Sequence, residues 1–220
     1  KEDLPAAKKF LEEFEFKQDE METQVTLYEK IGRIKDPAII PYLESVYKKE
    51  DVTTSIQFAV LNALTSQKTK EAYKVILKLL EYDLPLSDNE YEISSLFNSF
   101  EFDIENSEVL FPDIFQFYSV NEYHTPIIEY TNKLIESNSG NPKKLKSFKK
   151  MLLTNAKLEY KRLLSWKQKQ DMKDNDSYGY YGNNNKYAPT SDLISYLNIL
   201  YPFKKEKDVA ELFTKVDKLD

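Results

Sequence analysis

Glycine is the residue that most limits this chain. Only four occur in 220 residues, at positions 32, 140, 179 and 182, and none follows Asn or Asp. Tight strand-to-strand turns depend on Gly, Asn-Gly or Asp-Gly, because their central residues need positive φ. A chain without them cannot fold as a succession of hairpins. The same scarcity leaves little material for loops that cradle phosphate through bare backbone. The expected fold is therefore all-α.

Hydrophobic spacing supports helices along nearly the whole chain. A leading helix is predicted over 6–16. The next, 22–35, carries Val25, Leu27, Tyr28, Ile31 and Ile34 on one side. Asp36-Pro37 ends it and starts another over 37–49, since proline suits a first helical position and disfavours the α region one residue earlier. Asp51 is the expected N-cap of a helix carrying Ile56, Ala59, Val60, Ala63 and Leu64. Residues 69–82 repeat the pattern until Asp83-Leu84-Pro85. Ser87 or Asp88 is expected to cap a helix reaching Phe100, with Glu90 and Glu92 in its favourable first turn. A helix over 107–118, interrupted early by Pro112, and one over 121–138 follow. A long one spans about 142–172, and a pair at 190–202 and 205–218 closes the chain.

An internal repeat runs through the first half. Ile31-Gly32-Arg33-Ile34-Lys35-Asp36-Pro37-Ala38-Ile39-Ile40-Pro41-Tyr42-Leu43 joins two helices through an apolar-Gly-x-apolar step and an Asp-Pro turn. A shift of 33 residues places Ile31 on Leu64, Ile40 on Tyr73 and Leu43 on Ile76. Thr65 stands where Gly32 would recur, and a third copy starts near Val109. On these residues the chain resembles the HEAT-like repeat family, in its short phycobilisome-lyase-type form, over about 22–82. The resemblance implies a right-handed α-α superhelix, a HEAT/ARM-like solenoid of about four to five helical hairpins, each touching only its neighbours. Residues 1–20 would be a cap, 21–140 the repeats, and 141–220 a long helix, a polar loop and a capping hairpin. The repeat composition also resembles regions attached to TraB/GumN-like exported proteins of bacteria. That resemblance would put any catalytic-type region outside this chain, and no residue carries over from it. The polar start Lys1-Glu2-Asp3-Leu4-Pro5 has no initiator Met, as expected of a piece of a larger or mature exported protein.

Charge is unevenly placed. The chain holds 31 basic and 37 acidic residues, a net −6. Residues 1–140 carry 14 basic and 27 acidic groups, whereas residues 141–173 carry 11 basic and 2 acidic. The long helix is thus a basic rod in an acidic chain. Its apolar stripe runs through Leu145, Phe148, Leu152, Ala156, Tyr160 and Leu163, with Lys143, Lys146, Lys149, Lys150, Lys157 and Lys161 off it. The rod can meet an anionic partner such as nucleic acid, lipid headgroups or an acidic protein. It can instead pack on the acidic repeats of its own chain and leave its outer lysines solvated, which is the preferred reading. The only arginines are Arg33 and Arg162, and phosphate or base recognition leans on arginine forks, so nucleic acid is disfavoured.

Cysteine is absent and His124 is the only histidine. This excludes disulfides, thiolate metal sites, cysteine nucleophiles and any site needing two imidazoles. His124 reads as a helix-start or surface residue more readily than as a base or metal ligand. Counted as a calcium loop from Asp174, the sequence places Tyr178 where an oxygen ligand belongs and Asn185 where the bidentate Glu belongs, so no EF-hand is expected. Tyr178, Tyr180, Tyr181 and Tyr187, interleaved with Gly and Asn, form either a recognition loop for protein or glycan or a plain connector. The aromatics Phe97, Phe100, Phe102, Phe111, Phe115, Phe117 and Tyr118 either line an apolar binding groove or, the reading their helical spacing favours, pack between hairpins. No nucleophile elbow, zincin motif or Walker loop occurs, and no cofactor is expected.

The function these features favour is a non-enzymatic protein-interaction or scaffold module of a larger bacterial protein, binding a protein or a neighbouring domain; an exported or periplasmic place and a cytoplasmic one both fit the sequence. Gln57 and Asn62, as exposed inner-helix residues, and the tyrosine loop are the candidate contacts. The alternatives are a HEAT-type enzyme acting on nucleic acid or a bound chromophore, and a module docking on an anionic surface through the basic helix.

Overall fold

The computed structural model describes residues 4–13, 21–36, 38–87, 90–175 and 191–219. All regular structure among them is helical. The chain divides into two compact units, Lys1–Leu134 and Ile135–Asp220.

The first unit holds α1 (Leu4–Glu13), α2 (Met21–Gly32), α3 (Ile39–Tyr47), α4 (Thr54–Thr65), α5 (Lys70–Tyr82), α6 (Glu90–Phe102), α7 (Ile104–Ser107) and nearly all of α8 (Asn121–Ser137). Its pairing is regular. α4 packs on α2 and on α6; α5 packs on α3 and on α7 with the turn after it; α4 also meets its sequence neighbours α3 and α5. Alternate helices therefore stack on one another. Thr53 and Thr69 cap α4 and α5, accepting from the Ile56 and Ala72 amides at 3.4 and 3.2 Å. Asp51 is not the cap of α4: Thr53 lies in extended backbone directly before the helix, where its hydroxyl can reach the third amide.

The core is closely packed at the repeat junction. Gly32 ends α2 directly against Ala63 of α4, and a Cβ there would lie 2.6 Å from both the Ala63 Cβ and its carbonyl oxygen. Gln67, 8% exposed, donates to the Gly32 carbonyl and, at 3.1 Å, to that of Ile34. Lys35 returns a bond to the Ser66 carbonyl at 2.5 Å. The end of one helix pair thus satisfies the orphan carbonyls of the other.

Further along, buried tyrosines tie helices to loops. Tyr47 of α3 donates to the Asp83 carbonyl at 2.5 Å, Tyr73 of α5 to the Asp103 carboxylate at 3.1 Å, Tyr123 of α8 to the Pro85 carbonyl at 2.8 Å, and Tyr130 of α8 to the Ser107 carbonyl at 2.7 Å. Each ring supplies apolar area to the core while its hydroxyl ties to a backbone carbonyl or a carboxylate, fully buried in the bonds of Tyr123 and Tyr130 and partly buried in those of Tyr47 and Tyr73. Burial raises all four phenols above their ordinary range, so they remain donors. Phe97 meets Tyr123 and Tyr130, and Phe100 meets Tyr130, all edge-on with centroids 5.9 to 6.3 Å apart.

Two expectations need correction here. The segment 107–118, expected as a helix interrupted at Pro112, does break there, but what flanks the break is the end of α7 and 3-10 turns at Glu108–Leu110 and Asp113–Phe117 rather than α-helix. Pro112 has no amide to donate and forces Phe111 into extended backbone, φ −87° and ψ 136°, so no helix can run through. Phe102, expected in the core, is 94% exposed, whereas Phe97, Phe100, Phe115, Phe117 and Tyr118 are buried.

The second unit is built on α9 (Pro142–Asn175), with α10 (Ser191–Leu200) and α11 (Lys207–Val216) packed against it. Leu152, Leu153, Ala156 and Leu163 of α9 are buried, as are Leu193, Tyr196, Ile199 and Leu200 of α10 and Val209 and Leu212 of α11. α9 continues to Asn175 rather than ending near 172, so Asp174 and Asn175 are helical, not the start of a loop.

A candidate anionic-partner face on α9

The second unit carries 17 basic and 11 acidic residues, a net +6, whereas the first carries 14 and 26, a net −12. The basic excess is concentrated on one side of α9. At about 100° per residue, Lys143, Lys146, Lys150, Lys157 and Lys161 fall within an arc of about 60°. All five are exposed. The arc extends about 27 Å along the helix at a rise of ~1.5 Å per residue. Leu152, Ala156 and Leu163 turn to the opposite side, into the core of the unit. The face exists because the apolar positions repeat at helical spacing and the lysines occupy what remains.

Lys149 does not belong to that face. It lies on the flank toward α11, with a side chain only 12% exposed. It pairs with Glu206 just before α11 and, at 3.3 Å, with Asp208 in its first turn. Its hydrogen bond from the ammonium to Glu206 is the chief reason its pKa is raised. The carboxylates also sit at the favourable end of α11. Partial burial works to raise the Asp208 carboxyl, yet the ammonium of Lys149 and backbone amides outweigh it and hold it below its ordinary value. The intramolecular reading of the basic rod thus describes Lys149. The other five lysines differ: among the described residues, none pairs with a carboxylate. Within 143–169 the only acid is Glu159, which faces elsewhere and is bound by Arg162 at 2.7 Å. Thr154 and Ser147, small and uncharged, fill the gaps in the row.

The remaining candidates are separate from this face in sequence. Gln57 is not exposed: at 4% exposure it lies inside the first unit, and its amide donates to the Asp83 carboxylate at 2.5 Å. It braces the loop that also accepts from Tyr47. Asn62 is half-buried, and its carbonyl accepts from the Thr65 and Ser66 hydroxyls. Tyr178, Tyr180, Tyr181 and Tyr187 lie outside the described residues. His124 is half-buried, with its ring centroid 4.4 Å from that of Tyr118. Among the described residues no group of three acidic or His side chains could hold a metal, and no helix is long and apolar enough to cross a membrane. Two cavities of about 300 and 290 Å³ open beside α2, the first lined by Phe10, Leu11, Leu27, Ile31 and Ile34.

Comparison with known proteins returned nothing: no family model, curated protein or solved structure matches the chain.

Proposed function

We propose that this chain is a non-enzymatic interaction module whose contact surface is the lysine face of α9. The observation that carries the reading is the row of five exposed lysines, on one arc, with no carboxylate among them. Like charges at such spacing repel one another, and folding stability gains nothing from aligning them. A partner with opposite charge offsets that repulsion and is steered toward it. In the first unit, the stacking of α2 on α4 on α6 and of α3 on α5 supports a HEAT-like arrangement of hairpins, as does the close approach of Gly32 to Ala63. On this reading the first unit is a scaffold in the manner of α-solenoids, and the second presents the docking face.

The test is retention on immobilised heparin, a generic polyanion. Wild type should be held at a physiological ionic strength of about 0.15 M and released by added salt. Lys143→Gln/Lys146→Gln/Lys150→Gln/Lys157→Gln/Lys161→Gln should flow through. Equal elution of the two proteins would defeat the reading.

A further inference from the structure

We infer that the partner of the lysine face is an anionic phospholipid surface, an inference that rests on reading α9 as the docking face. The shape of the face favours a plane. Five amines within one arc of about 60° can touch a flat sheet together, because a straight helix lying on a plane offers it a single line of side chains. A helix entering a nucleic-acid groove meets walls on both flanks and uses a wider sector of its surface. The chemistry points the same way. Every cation in the arc is a lysine, a point charge on a long stem that reaches headgroups at varied depth. The only nearby arginine, Arg162, lies off the arc and is engaged by Glu159 at 2.7 Å. Single-stranded nucleic acid is held by aromatic stacking platforms between cations, and the arc has none within it: Phe148 and Trp166 project from other sides of the helix, and Tyr160, half-buried, stands about 40° outside the arc. Leu158, 51% exposed, stands about 60° beyond the arc and is not part of the contact line.

The mode of binding follows from the packing. The apolar side of α9 is buried against α10 and α11, so the helix cannot roll that side into the bilayer as an unpartnered amphipathic helix would. Binding is therefore electrostatic, reversible and limited to a Debye length of about 8 Å at physiological salt. A row of four to eight basic residues suffices for such attraction, at about fivefold in partition per lysine. The chain's net charge of −6 opposes adsorption in general, so attraction has to come from this local face.

The experiment is co-sedimentation of the full chain with vesicles of phosphatidylcholine alone and with added phosphatidylserine. Parallel titrations use a duplex and a single-stranded oligonucleotide. Binding should require phosphatidylserine and reverse with salt. Lys150→Gln/Lys157→Gln/Lys161→Gln should weaken it about a hundredfold, with unchanged far-UV dichroism. Lys205→Gln/Lys207→Gln/Lys218→Gln, which loses the same charge from exposed positions of the same unit, should weaken it by far less. The lipid assignment is overturned if phosphatidylserine makes no difference, if the α9 triple variant binds vesicles as wild type does, or if an oligonucleotide binds more tightly than vesicles. Heparin retention without vesicle binding defeats the lipid assignment alone. Failure to bind both defeats the docking face itself.

Discussion

Gly32→Ala puts the repeat junction to the sharpest test. The added methyl would sit 2.6 Å from the Ala63 Cβ and carbonyl oxygen and closer still to the Ala63 Cα, against 3.4 Å or more for an ordinary contact. α2 and α4 must therefore separate by the better part of an ångström, or α2 must unwind its last turn. Either response also strains the bonds from Gln67 to the Gly32 and Ile34 carbonyls. Overpacking of this kind costs about 1–3 kcal/mol. Alanine regains up to about 1 kcal/mol of helix propensity over glycine, and less at the final residue of a helix. Overpacking wins, with a net loss of about 1–2 kcal/mol, or roughly 3–8 °C in Tm for a unit of this size. Thermal melts followed by far-UV dichroism read it directly. Ala63→Gly in the same chain should not restore stability, because two of the three obstructing atoms are backbone. A Gly32→Ala protein as stable as wild type, or one fully rescued by Ala63→Gly, would refute the close approach of α2 and α4.

Other outcomes follow from single contacts. Tyr130→Phe leaves the fully buried Ser107 carbonyl without its donor and should cost about 1–3 kcal/mol by urea unfolding. Thr53→Ala and Thr69→Ala each remove an N-cap bond and should cost about 1 kcal/mol, adding in the double variant. The Lys149 cluster should show in pH dependence. Asp208 is held below its ordinary pKa, so its contribution is present above about pH 3.9 and disappears as pH falls through the lower folded value. Lys149→Gln should flatten that acid limb, by about 1 kcal/mol or less because both carboxylates are half-exposed.

Helix existence was legible because apolar residues at helical spacing have no other fold open to them in a chain so poor in glycine. The expected bounds of α2 to α5 lie within about three residues of those found, and Asp83-Leu84-Pro85 does end α5, with Asp83 in extended backbone. The interruption at Pro112 is legible from the cost of proline inside a helix, but the tightening of the rest of that segment into 3-10 turns is not, because its apolar spacing reads the same for both. Thr53 was missed as a cap because Asp51 is the stronger residue in isolation, and only the backbone decides which one precedes the first turn. Gln57 was misplaced for a different reason. An amide on an apolar helix face reads as exposed unless its partner is known, and Asp83 lies 26 residues away. The same limit applies to the lysines. Sequence grouped Lys149 with its neighbours, and only the position of α11 separates a paired lysine from five that face outward.

Amine acetylation footprinting, read by mass spectrometry with and without a saturating short heparin, tests the docking face most directly. Lys143, Lys146, Lys150, Lys157 and Lys161 should be protected, with Lys205, Lys207 and Lys218 labelled as fast as in the free protein. Uniform protection of all eight, or protection that spares the α9 row, would contradict it.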